Sequence, residues 1–155
     1  MRTIETTTDI AAPPDVVWEV ITDFASHREW NPFITELHGE LRPGARLRAT
    51  FTLAGRKPQT FSPTLTVVEP NRRLAWAGRL AIPKLFDAEH IFEVEPQSAG
   101  SRLVHREHFR GVLVPILRRT LAATHDAFIR MDAALAQRAE TIAASRPISP
   151  PATTA

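Results

Sequence analysis

The sequence predicts a single α+β domain in which a curved, seven-stranded antiparallel sheet wraps around one long C-terminal helix. Three observations carry that prediction. Residues 33–111 read as strands cut by turn signals, two short helical stretches separate the first strand from these, and after Pro115 the apolar spacing switches to the helical period. At 155 residues with 43% hydrophobic content, the chain is the size of one globular domain with a real core.

Ile4, Thr6, Thr8 and Ile10 alternate with Glu5, Thr7 and Asp9, the period-two pattern of a half-buried first strand. Pro13-Pro14-Asp15 breaks it, and Pro14 suits the first turn of a helix carrying Val16, Val17, Val20 and Ile21 to Phe24. Asn31-Pro32 must end a second short helix over Ala25–Trp30. Turn signals at Arg42-Pro43-Gly44, Ala54-Gly55-Arg56, Glu69-Pro70-Asn71 and Pro96–Gly100 leave room for six further strands. In one of these, Leu47, Ala49, Phe51 and Leu53 form a dry face opposite Arg46, Arg48, Thr50 and Thr52. Leu117, Leu121, Phe128 and Leu135 then define the inner stripe of the long helix. Residues 1–144 form the domain, and the Pro/Ser/Thr/Ala tail 145–155 is expected to be disordered.

A pI near 9.9 suggests a nucleic-acid partner, but the formal charge is only +2. Only Lys57 and Lys84 are lysines and there is no Tyr or Cys, so little titrates between His and Arg and the pI overstates the basicity. No nucleic-acid partner is expected. The absence of cysteine removes disulfides, thiolate metal sites and a Cys nucleophile. Residues 1–14 carry Glu5, Asp9 and four threonines where a signal peptide needs an apolar run, and Val112–Leu117 is too short to span a bilayer. A cytoplasmic protein without integral membrane association, monomeric or weakly dimeric, is the expectation.

Several phrases stand at matching places along this layout. They are Ala12-Pro13-Pro14-Asp15-Val16-Val17-Trp18 leading to Thr22-Asp23-Phe24, then Trp30-Asn31-Pro32-Phe33, Val68-Glu69-Pro70-Asn71-Arg72-Arg73-Leu74, Gly100-Ser101-Arg102-Leu103, and Glu107 with Phe109 and Gly111. With them, residues 3–140 resemble the START-like SRPBCC superfamily, the helix-grip fold of birch-pollen-allergen type, and most resemble its polyketide cyclase/dehydrase-like group. The resemblance implies a deep pocket between sheet and helix, and leaves its occupant open among lipid, polyketide-like and isoprenoid compounds.

The last hairpin holds the most informative polar residues. Pairing Glu95 with Arg102 sets Phe92 opposite His105 and His90 opposite Glu107. His90, Phe92, His105 and Glu107 then face inward, while Glu89, Glu93, Arg102, Arg106, His108 and Arg110 face water. A buried carboxylate needs a partner, so a His90–Glu107 hydrogen bond is expected. Such a pair either holds the sheet in register, contacts a ligand, or moves protons with Glu107 and His90 as the catalytic candidates. With only His90 and His105 as an inward histidine pair, no metal site is expected.

Phe51 and Trp76 are candidate lining residues, with core packing the alternative for Trp76, and Trp30, on the short helix before Asn31-Pro32, is a candidate guard of the pocket mouth, as this segment often is in similar proteins. On the long helix Leu121, Thr124 and Phe128 are further candidates, because core and pocket share one wall in such a fold. The loop Ala81–Phe86 places apolar side chains, Phe86 among them, between two strands as a candidate lid. The chain thus reads first as a binder of a small hydrophobic or aromatic molecule, with no cofactor. The alternatives are a cofactor-independent polyketide cyclase/aromatase or dehydratase using the same cavity, and a co-chaperone-like interaction module.

Overall fold

A computed structural model describes residues 1–79 and 87–146 of the chain. The candidate lid with Phe86 and the tail from residue 147 lie outside the described residues. The described residues form eight strands: β1 (Arg2–Ile10), β2 (Ile34–His38), β3 (Arg48–Phe51), β4 (Gln59–Phe61), β5 (Thr64–Glu69), β6 (Arg73–Arg79), β7 (Asp87–Gln97) and β8 (Gly100–Arg110). The helices are α1 (Pro14–Thr22), α2 (His27–Trp30) and α3 (Arg118–Ser145), with a 3-10 turn at Phe24–Ser26 before α2.

The expected single seven-stranded sheet is instead a five-stranded sheet, β1-β8-β7-β6-β5, and a three-stranded one, β2-β3-β4. Proline accounts for the extra strand. Pro63 has no N–H for a ladder, so the segment expected as one strand divides into β4 and β5. The two sheets still meet: Arg46 bridges Thr64, the Leu47 amide donates to the Pro63 carbonyl, and Leu65 donates to Ala45. A curved grip results.

The helix-grip architecture is otherwise the one expected, an α+β fold with α3 held against the concave side of the larger sheet. Val16, Val17, Val20 and Ile21 of α1 are buried, and Pro14 begins that helix. The Asn31-Pro32 stop has a further purpose. Asn31 Oδ1 accepts from the amides of Phe33 and Ile34, both at 2.9 Å, while its side-chain amide donates to His27 Nδ1 at 3.2 Å. His27, fully buried, donates from Nε2 to the Ile21 carbonyl, which ties α2 to α1.

The two halves of α3 have different tasks. Its C-terminal part buries Met131, Leu135 and Ala139 in the core and is held to the α1–α2 region by ion pairs from Arg138 to Glu29 and from Arg146 to Asp15 and Glu19. Ser145 is thus still helical and Arg146 still anchored, where the tail was expected to have begun. Its N-terminal part, together with Leu117, fronts a cavity. Among the described residues no helix is long and apolar enough to cross a membrane.

Candidate functional site

Strand pairing builds the floor of this cavity. The β7–β8 register is the one read from the sequence, with His90 opposite Glu107, Phe92 opposite His105 and Glu95 opposite Arg102. A two-residue turn at Ser98-Ala99 leaves no slack to shift it, and a slip of one would turn every inward side chain to solvent. His90, Phe92, His105 and Glu107 are all buried. Arg102, however, pairs with Asp9 of β1 at 2.8 Å, and Arg106 with Glu5 at 2.5 Å and with Glu93, so carboxylates of β1 neutralise most of the outer arginine row.

The cavity measures ≈ 710 Å³ and lies between β3–β4, β6–β8 and the start of α3. Phe33, Phe51, Phe61, Trp76, Phe109 and Leu121 make most of its wall aromatic or aliphatic, and Arg56, Lys57, Gln59 and Thr120 add polar groups. Arg56, at the β3–β4 turn, donates to Thr120 Oγ1 of α3 at 2.9 Å. His90 and Glu107, opposite one another on β7 and β8, also line it. Trp76, the register partner of His90 on β6, stacks on its ring with centroids 4.7 Å apart and planes within 9°.

The expected His90–Glu107 hydrogen bond does not form. His90 Nδ1 and Glu107 Oε2 stand 3.7 Å apart, beyond hydrogen-bond reach. His90 uses its other nitrogen: Nε2 lies 2.7 Å from Nε2 of His105. His105 Nδ1 in turn lies 2.7 Å from Asp132 Oδ1, and Thr6 Oγ1 donates to Asp132 Oδ2 at 2.5 Å. A polar chain thus runs from β1 through α3 and β8 to the cavity. Burial pushes the His105 pKa down to about 4, against the opposing pull of Asp132, so this ring is neutral at pH 7. Among the described residues no three of His, Asp and Glu converge as a metal site.

This sheet, helix and pocket belong to a recognisable lineage. A family model described as polyketide cyclase / dehydrase and lipid transport matches residues 1–141. The chain belongs to that family. No curated protein matches it. Among solved structures it is similar to protein MLL2253 from Mesorhizobium loti, with TM-score 0.73 and 20% identity over 90% of this chain and 98% of that one. A START superfamily protein from Mycobacterium smegmatis gives 0.71 and 18%, over 90% of this chain and 98% of that one. The di-domain ARO/CYC StfQ of the steffimycin biosynthetic pathway gives 0.66 and 15%, covering 93% of this chain and 51% of that chain. At these identities the likeness is one of fold alone.

In this member of the polyketide cyclase/dehydrase family, six of the expected lining residues, Phe51, Trp76, His90, Glu107, Leu121 and Thr124, do line the cavity. Four others lie elsewhere. Phe92 and Phe128 are fully buried and enclose His105, with ring centroids 4.4 and 3.6 Å from it, so all three form a layer beneath the lining. Trp30 rests against His27, 5.0 Å between centroids, and packs on the core from α2 rather than at the mouth.

Asp132 and Thr6 are the polar residues missed as site components. Asp132 carries a readable signal: it follows Met131, lies four residues after Phe128 and three before Leu135, and so is a carboxylate on an apolar helical stripe. Thr6 carries none, being one threonine among several on β1.

Proposed function

We propose that the cavity takes up a small, largely apolar molecule of aromatic or polyketide-like type, with its polar group directed at His90 and Glu107. The observation that carries this reading is the composition of the cavity: ≈ 710 Å³, walled largely by aromatic and aliphatic side chains, with His90 and Glu107, paired across β7 and β8, among its polar residues. Pockets of this size with few convergent polar groups are characteristic of ligand sites. Membership of a family described by cyclase/dehydrase and lipid-transport activities supports the same reading.

Native mass spectrometry of the full chain, followed by denaturing extraction, tests it alongside titration with anilinonaphthalene sulfonate. A co-purifying molecule, or saturable probe binding, that disappears in a folded Leu121→Trp variant supports the cavity as the site. Binding that is indifferent to this filled cavity refutes it.

The second reading is proton-transfer chemistry in the same cavity, as a cyclase/aromatase or dehydratase performs. The Asp132–His105–His90 chain favours it, because a histidine backed by a buried acceptor is suited to taking a proton from carbon beside a carbonyl. Single-turnover assays with an enolisable aromatic ketone, read by deuterium exchange at the α-carbon, separate binding from chemistry. Exchange lost in His90→Phe supports catalysis. No exchange above solvent background limits the protein to binding. The buried polar pair weighs against an interaction module, for which an exposed apolar groove would be the expected feature.

A further inference from the structure

The polar chain behind the cavity has a direction. Thr6 donates its hydroxyl hydrogen to Asp132 Oδ2, and a carboxylate only accepts, so the hydrogen between Asp132 Oδ1 and His105 Nδ1 belongs to His105. A neutral imidazole protonated at Nδ1 keeps Nε2 bare. His105 Nε2 therefore accepts, and the contact at 2.7 Å makes His90 Nε2 the donor. A neutral His90 that donates from Nε2 has a bare Nδ1.

That nitrogen is the end of the chain. His90 is 1% exposed, and among the described residues its Nδ1 has no hydrogen-bond partner. The nearest acidic oxygen, Glu107 Oε2 at 3.7 Å, is too distant to share a proton with it. Both residues line the cavity, the ring nitrogen lies buried just beneath that lining, and among the described residues no donor satisfies it. A buried polar atom in this state is matched by an ordered water or, when a ligand settles against it, by a ligand donor. Beside it, the indole of Trp76 lies parallel to the imidazole and offers a flat wall.

We propose that Thr6, Asp132 and His105 lock His90 in its Nε2–H tautomer, and that the cavity thereby selects flat aromatic ligands carrying a phenolic or enolic hydroxyl, which donates to His90 Nδ1. Asp132 and His105 are positioning residues in this arrangement, since neither reaches the cavity lining. Ligands with only ether or carbonyl oxygens at that position leave the nitrogen unpaired and face the oxygen lone pairs of Glu107. The inference rests on the cavity being the ligand site, and it adds which chemical group that site reads.

Calorimetric titration of the full chain with naphthol and with naphthyl methyl ether tests it, because the two share their rings and differ by the hydroxyl hydrogen. Naphthol is expected to bind at least about tenfold more tightly, the scale of one unpaired buried acceptor. In His90→Phe, which keeps an aromatic ring against Trp76, the two affinities should become equal through loss on the naphthol side alone. Equal affinities in the unmodified protein overturn the inference and leave the cavity reading intact. Failure of both probes to bind overturns both. Nitrogen NMR of the labelled, unsubstituted protein reads the tautomer without requiring any variant to fold: a bare Nδ1 and protonated Nε2 on His90 support the lock, and a protonated Nδ1 in the free protein ends it. In Asp132→Asn the amide can donate to or accept from His105, so the tautomer preference of His90 should relax even where the fold is unchanged. A merely structural Asp132 would leave that spectrum as it was.

Discussion

The imidazole of His105 lies flat on the ring of Phe128, with 3.6 Å between centroids and 5° between planes. This contact joins β8 to α3 and closes one side of His105, while Phe92 covers it at 4.4 Å. Sandwiched this way, His105 meets polar atoms only at its two nitrogens, Asp132 on one side and His90 on the other. The stack therefore explains both the strength of desolvation at His105 and the absence of this histidine from the cavity lining.

Stability should fall on mild acidification. Burial lowers the pKa of both His105 and His27 from 6.5 to about 4, so between these values the unfolded chain binds protons that the folded chain refuses. The contribution is complete above pH 6.5 and is lost as pH falls toward 4. The loss should reach roughly 2 kcal/mol per histidine by about pH 5. Urea midpoints measured across this interval check it, and a flat profile between about pH 7 and about pH 5 would show that neither ring is buried in its neutral form.

Asp132 should matter to stability in a graded way. Asp132→Ala leaves both the His105 Nδ1 hydrogen and the Thr6 hydroxyl without an acceptor in a dry site, at a cost of about 2–4 kcal/mol. Asp132→Asn keeps the shape and one acceptor, and should cost about half as much. Equilibrium denaturation of the two variants orders them. An alanine variant as stable as the parent would mean that water enters and replaces the carboxylate.

How far the sequence foretells this site depends on the kind of question asked. Alternation along β7 and β8, with a short turn between them, is enough to place His90 opposite Glu107, because side chains in a strand have only two faces to choose from. The same pattern cannot separate an inward residue that touches the cavity, such as Trp76, from one that sits below its lining, such as Phe92. Both point the same way, and the difference lies in how deeply α3 settles on the sheet. Nor does it foretell the His90–His105 contact, which depends on Asp132, 27 residues away on another element, holding the second ring. The division of one expected strand at Pro63 was readable from the missing N–H, whereas Thr6 acquires its role only through the packing of α3 on β1.

Gly100→Ala should be disruptive although the position is on a strand end. The backbone there has φ of 130°, and a Cβ would fall 2.2 Å from the carbonyl oxygen of Ile10. That carbonyl belongs to the end of β1, and Ser101 next door donates to the Ala12 carbonyl at 2.7 Å, so the strand end has little freedom to retreat. A loss of at least about 2 kcal/mol is expected in chemical denaturation. A change within about 0.5 kcal/mol, the range of ordinary surface substitutions, would show that β1 yields at this point.

Phe128→Ala tests the closing stack directly. The ring is fully buried and contacts Phe33, His90 and His105, so truncation should cost about 3–5 kcal/mol, combining lost burial with the space left behind. The more telling result is at His105. Phe33 lines the cavity and packs on Phe128, so removing the Phe128 ring opens a route for water from the cavity toward the imidazole. Because desolvation is the largest influence lowering the His105 pKa, and the neighbouring Asp132 acts to raise it, hydration should move that pKa upward from about 4. NMR titration of the ring protons in the variant and the parent measures the shift. An unchanged titration in a folded Phe128→Ala protein would mean that α3 collapses to refill the space and that Phe92, rather than Phe128, keeps His105 dry.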